Sequence, residues 1–449
     1  MELGDWSGGG TPSKAKSQYW QGGTIPWVSP KDMKTERISD SEDHITKEAV
    51  SHSATSLINA GSVLIVTRSG ILRHTLPVAV NLVPVTVKQD LKALTPRNNI
   101  LAEYVAWALR SFSRDILHAC SKQGTTVNSV ETSKLLGFEI PVAPRGQQAK
   151  IVSEIEKQFS RLDKAVANLK RVKANLKRYK AAVLKAAVEG KLTEDWRKQH
   201  PNVEPASKLL DRILATRRAK WKGKGIYKEP AVPVTSDLAS LPKEWTWAGL
   251  EQLTSAVRVI CYGILMPKDN IPNGTLYVKV KDLKGDRVDL ASLHRTSPKI
   301  AAAYARVSLK SGDLLLAIRG TYGRVAEVPP ELDGANITQD TARLDVTPFA
   351  DHCYVAAHLL SEVSQAFFRR VARGVAVKGV NIGDVRLTPV SLPPVTEQNQ
   401  IVVEVERRLS IIDNLKAAVQ ANLARAEHLR QSILGQAFSG KLLFNGAHG

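Results

Sequence analysis

The chain is short of the residues on which secreted proteins and most enzymes depend. Only 3 of its 449 residues are cysteines (Cys120, Cys261 and Cys353). They lie far apart, with no C-x-x-C and no histidine at ligand spacing. The expectation is reduced, buried thiols, with no disulfide framework and no metal centre. No run of about 18 apolar residues marks a spanning helix, and no signal peptide or lipidation pattern stands out. A cytoplasmic chain with no membrane partner is expected. Acidic residues are scarce too: 43 Asp and Glu face 63 Lys and Arg, for a net charge of +20 and a pI near 9.8. Such an excess predicts a polyanionic partner, nucleic acid before others.

Catalytic signatures are missing as well. The opening stretch SGGGTPSKAKSQYW (7–20) carries the glycines, hydroxyls and lysines of a phosphate cradle. A P-loop, however, requires G-x-x-x-x-G-K-[ST] after an apolar strand, so that backbone N–H groups wrap the phosphates. Here Lys14 follows Ser13, Ala15 replaces the magnesium-binding hydroxyl, and no apolar run comes before. The Asn/Asp-Pro-Pro-aromatic signature of adenine methyltransferases is not matched by SLPPV (391–395) or any other stretch. VEGKL (188–192) offers Glu189 and Lys191 to a nuclease, but FSGKL (438–442), its repeat, has serine in place of the glutamate. A glycine cap followed by a helix-end cation explains both copies. No Ser-His-Asp order and no metal spacing emerge from the ten histidines. A non-enzymatic chain without a cofactor or metal of its own is expected.

What the sequence does contain is a duplication. IVSEIEKQFSRLDKAVANLK at 151 returns as IVVEVERRLSIIDNLKAAVQ at 401, an offset of 250 residues. The same offset sets Pro144 on Pro394, Gln148 on Gln398, EYVAWALRS (103) on CYVAAHLLS (353), and PKDMK (30) on VKDLK (280). GTTVNSV (124) falls on GVAVKGV (374), and INAGSVLIVTRSG matches LKSGDLLLAIRGT with a slip of one residue. Two copies of one unit imply a pseudo-two-fold arrangement.

Each copy ends in a long helical pattern. Ile155, Leu162, Leu169, Leu176 and Val183 fall every seven residues, and Val405, Ile412, Val419 and Ile433 repeat the stripe. Two matched stripes predict an antiparallel two-helix coiled coil, the first helix spanning roughly 60 Å at about 1.5 Å per residue. The preceding parts read as short β-runs: SVLIVTRSG, LPVAVNLVPVTV and GFEIPV in the first copy, GTLYVKVKDL, DLLLAIRG and TARLDVTP in the second. Helical patterns such as ILAEYVAWALRS lie between them. The expected class is α+β, with two mixed α/β domains (1–145 and 241–394), two long helices (146–196 and 395–444) and a basic helix with linker (197–240). Between Lys150 and Lys228, 22 basic residues face 8 acidic ones. That stretch suits either a DNA backbone or an acidic protein partner.

This organisation resembles the specificity subunit of Type I restriction-modification systems. The resemblance rests on GGGTPSKAKSQYWQGGTIPWV (8–28), LPKEWTWAGLEQL (241–253), GDLLLAIRGTYG (312–323) and LPPVTEQNQIVVEVE (392–406). GKLTEDWR (190–197) and QSILGQAFSGKL (431–442) complete it. It implies two target recognition domains, each reading half of a split, asymmetric double-stranded DNA site. It also implies a helical spacer that fixes the gap and docks two methyltransferase subunits, which restriction subunits join. S-adenosylmethionine would belong to the methyltransferase, ATP and magnesium to the restriction partner. The subunit of a related fused methylase–nuclease system is one alternative; a basic coiled-coil scaffold without sequence preference is another. The first copy departs from the family pattern: MELGDWSGGG lacks the Leu-Pro-x-x-Trp entry, so a truncated or displaced first strand is expected.

The candidate DNA contacts follow from these motifs. Arg68 and Arg319 close matched β-runs, where an arginine can donate two hydrogen bonds to a guanine edge; a salt bridge or a phosphate contact is equally compatible. Ser69 and Arg73 continue the first loop, and Thr321, Tyr322 and Arg324 the second. Lys122, Thr125 and Asn128 lie before the first long helix, Lys378 and Asn381 before the second. Either asparagine can pair with adenine or serve a turn. Ser13, Lys14 and Lys16 are expected at phosphates; Lys31 and Lys281 are phosphate contacts or merely solvated, and Lys268 and Lys279 are further candidate DNA contacts. Trp20 and Trp27 are read as core residues.

Overall fold

The computed structural model describes residues 3–122, 128–223 and 225–442. They form two compact units, Met1–Arg171 with Val419–Gly449, and Val172–Ala418. Each long helix therefore contributes one segment to each unit.

In the first unit a five-stranded sheet has the order Gly4–Gly8, Leu91–Pro96, Val63–Val66, Val78–Asn81, Arg37–Ile38. Its neighbours are antiparallel except for the last pair. Val63–Val66 is apolar at every position and buried on both faces. One face is covered by the helix Ala102–Ser111, whose Val105, Ala106 and Leu109 enter the sheet's core. A smaller sheet joins Ile25–Val28 to His44–Ile45 and Thr86–Val87.

One expectation is met here and another corrected. The opening residues form the strand Gly4–Gly8, but it lies beside Leu91–Pro96, Trp6 opposite Leu94, as Cys261–Tyr262 lies beside Thr341–Leu344 in the second unit; the first strand is thus displaced from the place that Thr246–Gly249 holds there. Glycine suits this strand, since a Cβ on Gly4 would lie 2.1 Å from the Thr95 carbonyl oxygen. GFEIPV, in contrast, forms no strand. Its counterpart in the second unit, Pro389–Leu392, is a strand because Thr246–Gly249 pairs with it, Trp247 opposite Ser391. Among the described residues Glu139–Val142 has no such neighbour, and a β-rich segment without a partner has no ladder to join. The segment is nonetheless held in place: the Tyr104 hydroxyl donates to the Pro141 carbonyl at 2.9 Å, as that of Tyr354 does to Ser391 at 2.6 Å.

The second unit carries a four-stranded antiparallel sheet, Cys261–Tyr262, Thr341–Leu344, Leu314–Ala317, Val325–Glu327. A three-stranded sheet orders His294–Thr296, Thr275–Val278 and Asn336–Ile337. Leu314 and Leu316 face a core shared with Trp245, Tyr354 and Phe368; Leu315 and Ala317 face a second one with Val278 and Ile337. Alternation along one buried strand thus serves two layers. The basic helix Ala206–Lys220 buries Leu209 and Ile213 in the first of these cores, and Arg217 donates to the Thr254 carbonyl.

The long helices are Arg145–Val188 and Val395–Phe438, 44 residues each. In the first unit their segments run antiparallel: Asp163 pairs with Arg430, while Ile151 and Ile155 share a cluster with Leu434, Phe438 and Leu442. In the second, Val183, Leu184 and Ala187 share a core with Ile401 and Val405. Of the seven-residue stripe, Ile155, Leu176, Val183, Val405, Ile412 and Val419 are buried; Leu162, Leu169 and Ile433 are half-buried. Both helices end as the glycine reading requires, with Gly190 at φ 73° and Gly440 at φ 76°. The following N–H groups, Lys191 and Lys441, donate to Ala186 and Gln436. Both also begin alike. The Gln148 side chain accepts from Leu101 N and donates to the Ala143 carbonyl, and Gln398 does the same with Asp351 and Pro393.

Candidate nucleic-acid interface

Each unit holds the turn after its central strand in the same backbone frame. In the first, the N–H groups of Thr67 and Arg68 both donate to the Asp90 carbonyl, at 2.8 and 3.2 Å. Ser69 N donates to Asn128 O, and Val130 N to Thr67 O. In the second, Ile318 and Arg319 donate to Asp340 O at 2.8 and 3.3 Å, Gly320 N to Lys378 O, and Val380 N to Ile318 O. Arg68 therefore corresponds to Arg319, which confirms the one-residue slip. The frames are needed because the chain leaves an apolar strand there with unpaired peptide groups. What they present to solvent is an arginine: both Arg68 and Arg319 are exposed.

Around Arg319 the second unit forms a basic groove. Lys281, Lys284, Arg319, Thr321 and Arg324 line it with Gln339 and Asp340. Arg324 is braced by donating to the Leu283 carbonyl at 3.2 Å. The Arg319 Nε lies 3.9 Å from Asp340, a long ion pair that leaves its terminal N–H groups available. An adjoining hollow adds Tyr262, Arg373 and Asn381. Planar, fixed donors beside lysine point charges can hold a phosphate backbone and address a base edge together. Burial, and then Lys281, lower the pKa of the half-buried Lys279 amine, which stacks over Tyr277 at 5.4 Å.

In the first unit Arg68, Ser69 and Asn128 come together in the frame, and Lys122 joins through Ser129, which pairs with both Lys122 and Arg68. Arg73 ends the short turn Gly70–Arg73 that follows. The opening loop is packed by its aromatics: Lys16 donates to the Tyr19 hydroxyl at 3.1 Å, and Lys14 sits over Trp20. Ser13 accepts from Trp20 Nε1, and Thr11 contacts Gln89, the counterpart of Gln339. Trp27 is buried with its N–H on Gly10 O; Trp20 meets it edge-on at 5.2 Å. Lys31 is engaged by Glu42 and Asp43 at 3.0 Å, and its pKa is raised by those bonds, Asp43 foremost. Lys268 stands exposed at φ 59°, and Tyr322 is half-buried.

The two asparagines are not equivalent. Asn128 matches Lys378, whereas Asn381 caps the helix Ile382–Arg386, accepting from Asp384 N at 2.9 Å. Thr125 lies outside the described residues. Sequence reasoning passed over Tyr262, Lys284, Gln339 and Arg373. For Gln339 a signal was present: Gln-Asp recurs at 89–90 and 339–340, at the repeat offset.

Residues 1–178 match the family model described as the Type I restriction modification DNA specificity domain. The Type I restriction enzyme EcoR124I/EcoR124II specificity subunit of Escherichia coli is 49% identical over 156 residues, 35% of this chain and 39% of that protein. The EcoBI specificity subunit of the same species is 28% identical over 322 residues, 71% of this chain and 61% of that protein. The matched segments thus span less than two thirds of these relatives' lengths. A chain from work on complex assembly and conformational transition of the type I R-M system has a TM-score of 0.67 at 17% identity, covering 98% of this chain and 100% of that chain. The HsdS subunit from Thermoanaerobacter tengcongensis has a TM-score of 0.52 at 17% identity, covering 93% and 91%. At these identities the structural likeness concerns the fold. No helix among the described residues is long and apolar enough to cross a membrane.

Proposed function

The chain belongs to the family of Type I restriction-modification specificity subunits, and on that premise we propose that it selects the DNA site for such a complex. Each unit reads one half of a bipartite, asymmetric site, with Arg68 and Arg319 at the base edges and the neighbouring lysines at phosphates. The observation that carries this reading is the matched pair of backbone frames, each presenting one exposed arginine. The side chains around the two arginines differ, so the two half-sites differ. The chain itself is non-catalytic. The partners are double-stranded DNA, two methyltransferase subunits that bring S-adenosylmethionine, and restriction subunits that use ATP and magnesium. The long helices provide the spacer and the docking surface.

The test is a genome-wide map of methylated adenines in host cells with and without the gene, alongside co-purification with the adjacent methyltransferase. Loss of one split motif with a fixed gap supports the reading. An unchanged map from a chain that does co-purify with an active methyltransferase overturns it.

A further inference from the structure

In the second unit three metal-ligating side chains of different chemistry converge. Glu327 ends the strand Val325–Glu327, and His352 and Cys353 open the helix His352–Leu360 that packs against it. The first turn of that helix is fixed by its cap, since the Asp351 carboxylate accepts from Cys353 N at 2.8 Å and Tyr354 N at 3.1 Å. The His352 Nε2 lies 3.3 Å from a Glu327 oxygen and 3.6 Å from the Cys353 sulfur, and all three ligand atoms lie within 4.8 Å of one another.

These separations have a chemical meaning. Zinc bonds of about 2.0–2.3 Å at tetrahedral angles place neighbouring ligand atoms roughly 3.3–3.8 Å apart. The two distances from His352 fall in that range, and the third, between Glu327 and Cys353, is no more than 4.8 Å. Thiolate, imidazole and carboxylate together select a borderline cation of the zinc class over magnesium or calcium. Two further carboxylates stand close by: Asp351 caps the same helix, and Glu406 lines the hollow that Glu327 and Cys353 share. At the repeat offset the first unit has Pro77, Ala102 and Glu103. The cluster is therefore particular to one copy and is not part of the duplicated scaffold.

We propose that Glu327, His352 and Cys353 form a three-ligand site for a zinc-class divalent cation, with water in the fourth position. Binding replaces the thiol proton, which leaves to solvent, and ties the strand to the start of the helix. Local spacing does not reveal the site, because Glu327 lies 25 residues before His352 and 26 before Cys353.

The experiment uses the full chain stripped with a chelator and titrated with Zn²⁺ against a chromophoric competitor. One equivalent should bind. Cys353→Ser should abolish stoichiometric binding, and His352→Ala should raise Kd at least about tenfold, the scale already seen for outer-shell losses. Cys261→Ser should leave binding unchanged. Co²⁺ in place of Zn²⁺ should give a sulfur-to-metal charge-transfer band with the parent chain. As a measurement that needs no variant, Zn²⁺ should protect Cys353 from alkylation, read by peptide mass spectrometry. Binding by folded Cys353→Ser as tight as that of the parent, or unprotected alkylation of Cys353 at saturating Zn²⁺, overturns the proposal.

Discussion

His358 gives the second unit an acid-sensitive joint whose size can be worked out. The ring is fully buried on the helix His352–Leu360. Its Nε2 faces the N–H of Ser391 at 3.0 Å, so that nitrogen must accept, and Nδ1 carries the proton toward the Ser364 hydroxyl at 3.0 Å. A second proton would set N–H against N–H inside the core. Burial accordingly pushes the pKa down from 6.5 to about 3. A depressed folded pKa means that the unfolded chain binds the proton first. The stability this group contributes is complete above pH 6.5 and is lost progressively as the pH falls toward 3. Between pH 7 and pH 5 the loss is about 2 kcal/mol, at about 1.4 kcal/mol per pH unit below 6.5. The first unit has Ala108 at the equivalent position and is exempt from this effect. Hydrogen exchange of the strands Pro389–Leu392 and Leu314–Ala317 at the two pH values, in graded urea, reads the second unit alone. His358→Gln keeps an acceptor for Ser391 but does not titrate; it should cost about 1–3 kcal/mol at pH 7 and flatten the slope. If the variant and the parent lose the same stability from pH 7 to pH 5, the reasoning is wrong.

Other outcomes follow from the sites described above. Arg319→Ala should relax or abolish recognition of bases in one half-site, about 1–3 kcal/mol of discrimination, and Arg68→Ala should do the same to the other half; methylation maps of complemented cells check both. Arg197→Ala should destabilise the second unit by about 3–5 kcal/mol in denaturant titrations. It strands the fully buried Glu397, which Arg197 meets at 2.5 Å alongside Thr193 and Trp245. The amides of Glu139, Ile140 and Val142 should exchange far faster than those of Val390, Ser391 and Leu392, since only the latter strand has a pairing partner among the described residues.

What was legible in the sequence was whatever depends on local pattern. The seven-residue stripe of Ile155 to Val183 marks a helix without reference to anything else, and Gly190 and Gly440 end both helices in the conformation that glycine alone adopts cheaply. Val63–Val66 is a strand by composition. Legibility failed where a partner decides. GFEIPV has the β propensity of its counterpart but not its neighbour, whereas the weak strand former GDWSG pairs because Leu91–Pro96 lies beside it. The arginines were found because they follow apolar runs. The grooves around them were not, since Tyr262, Lys284 and Gln339 reach Arg319 only through the folded sheet. Asn128 and Asn381 looked alike in sequence, yet hydrogen bonding gives them different posts.

The frame around Arg68 and Arg319 bears on how such a protein evolves. Its bonds run from peptide N–H to peptide carbonyl, so none is lost when a side chain at 68, 69, 128, 319 or 378 is exchanged for any residue but proline. The two copies already illustrate this freedom, with Ser69 against Gly320 and Asn128 against Lys378 on the same scaffold. Under the function proposed above, substitutions at these positions would change the bases addressed while the frame stays bonded, so that new targets could be acquired one residue at a time.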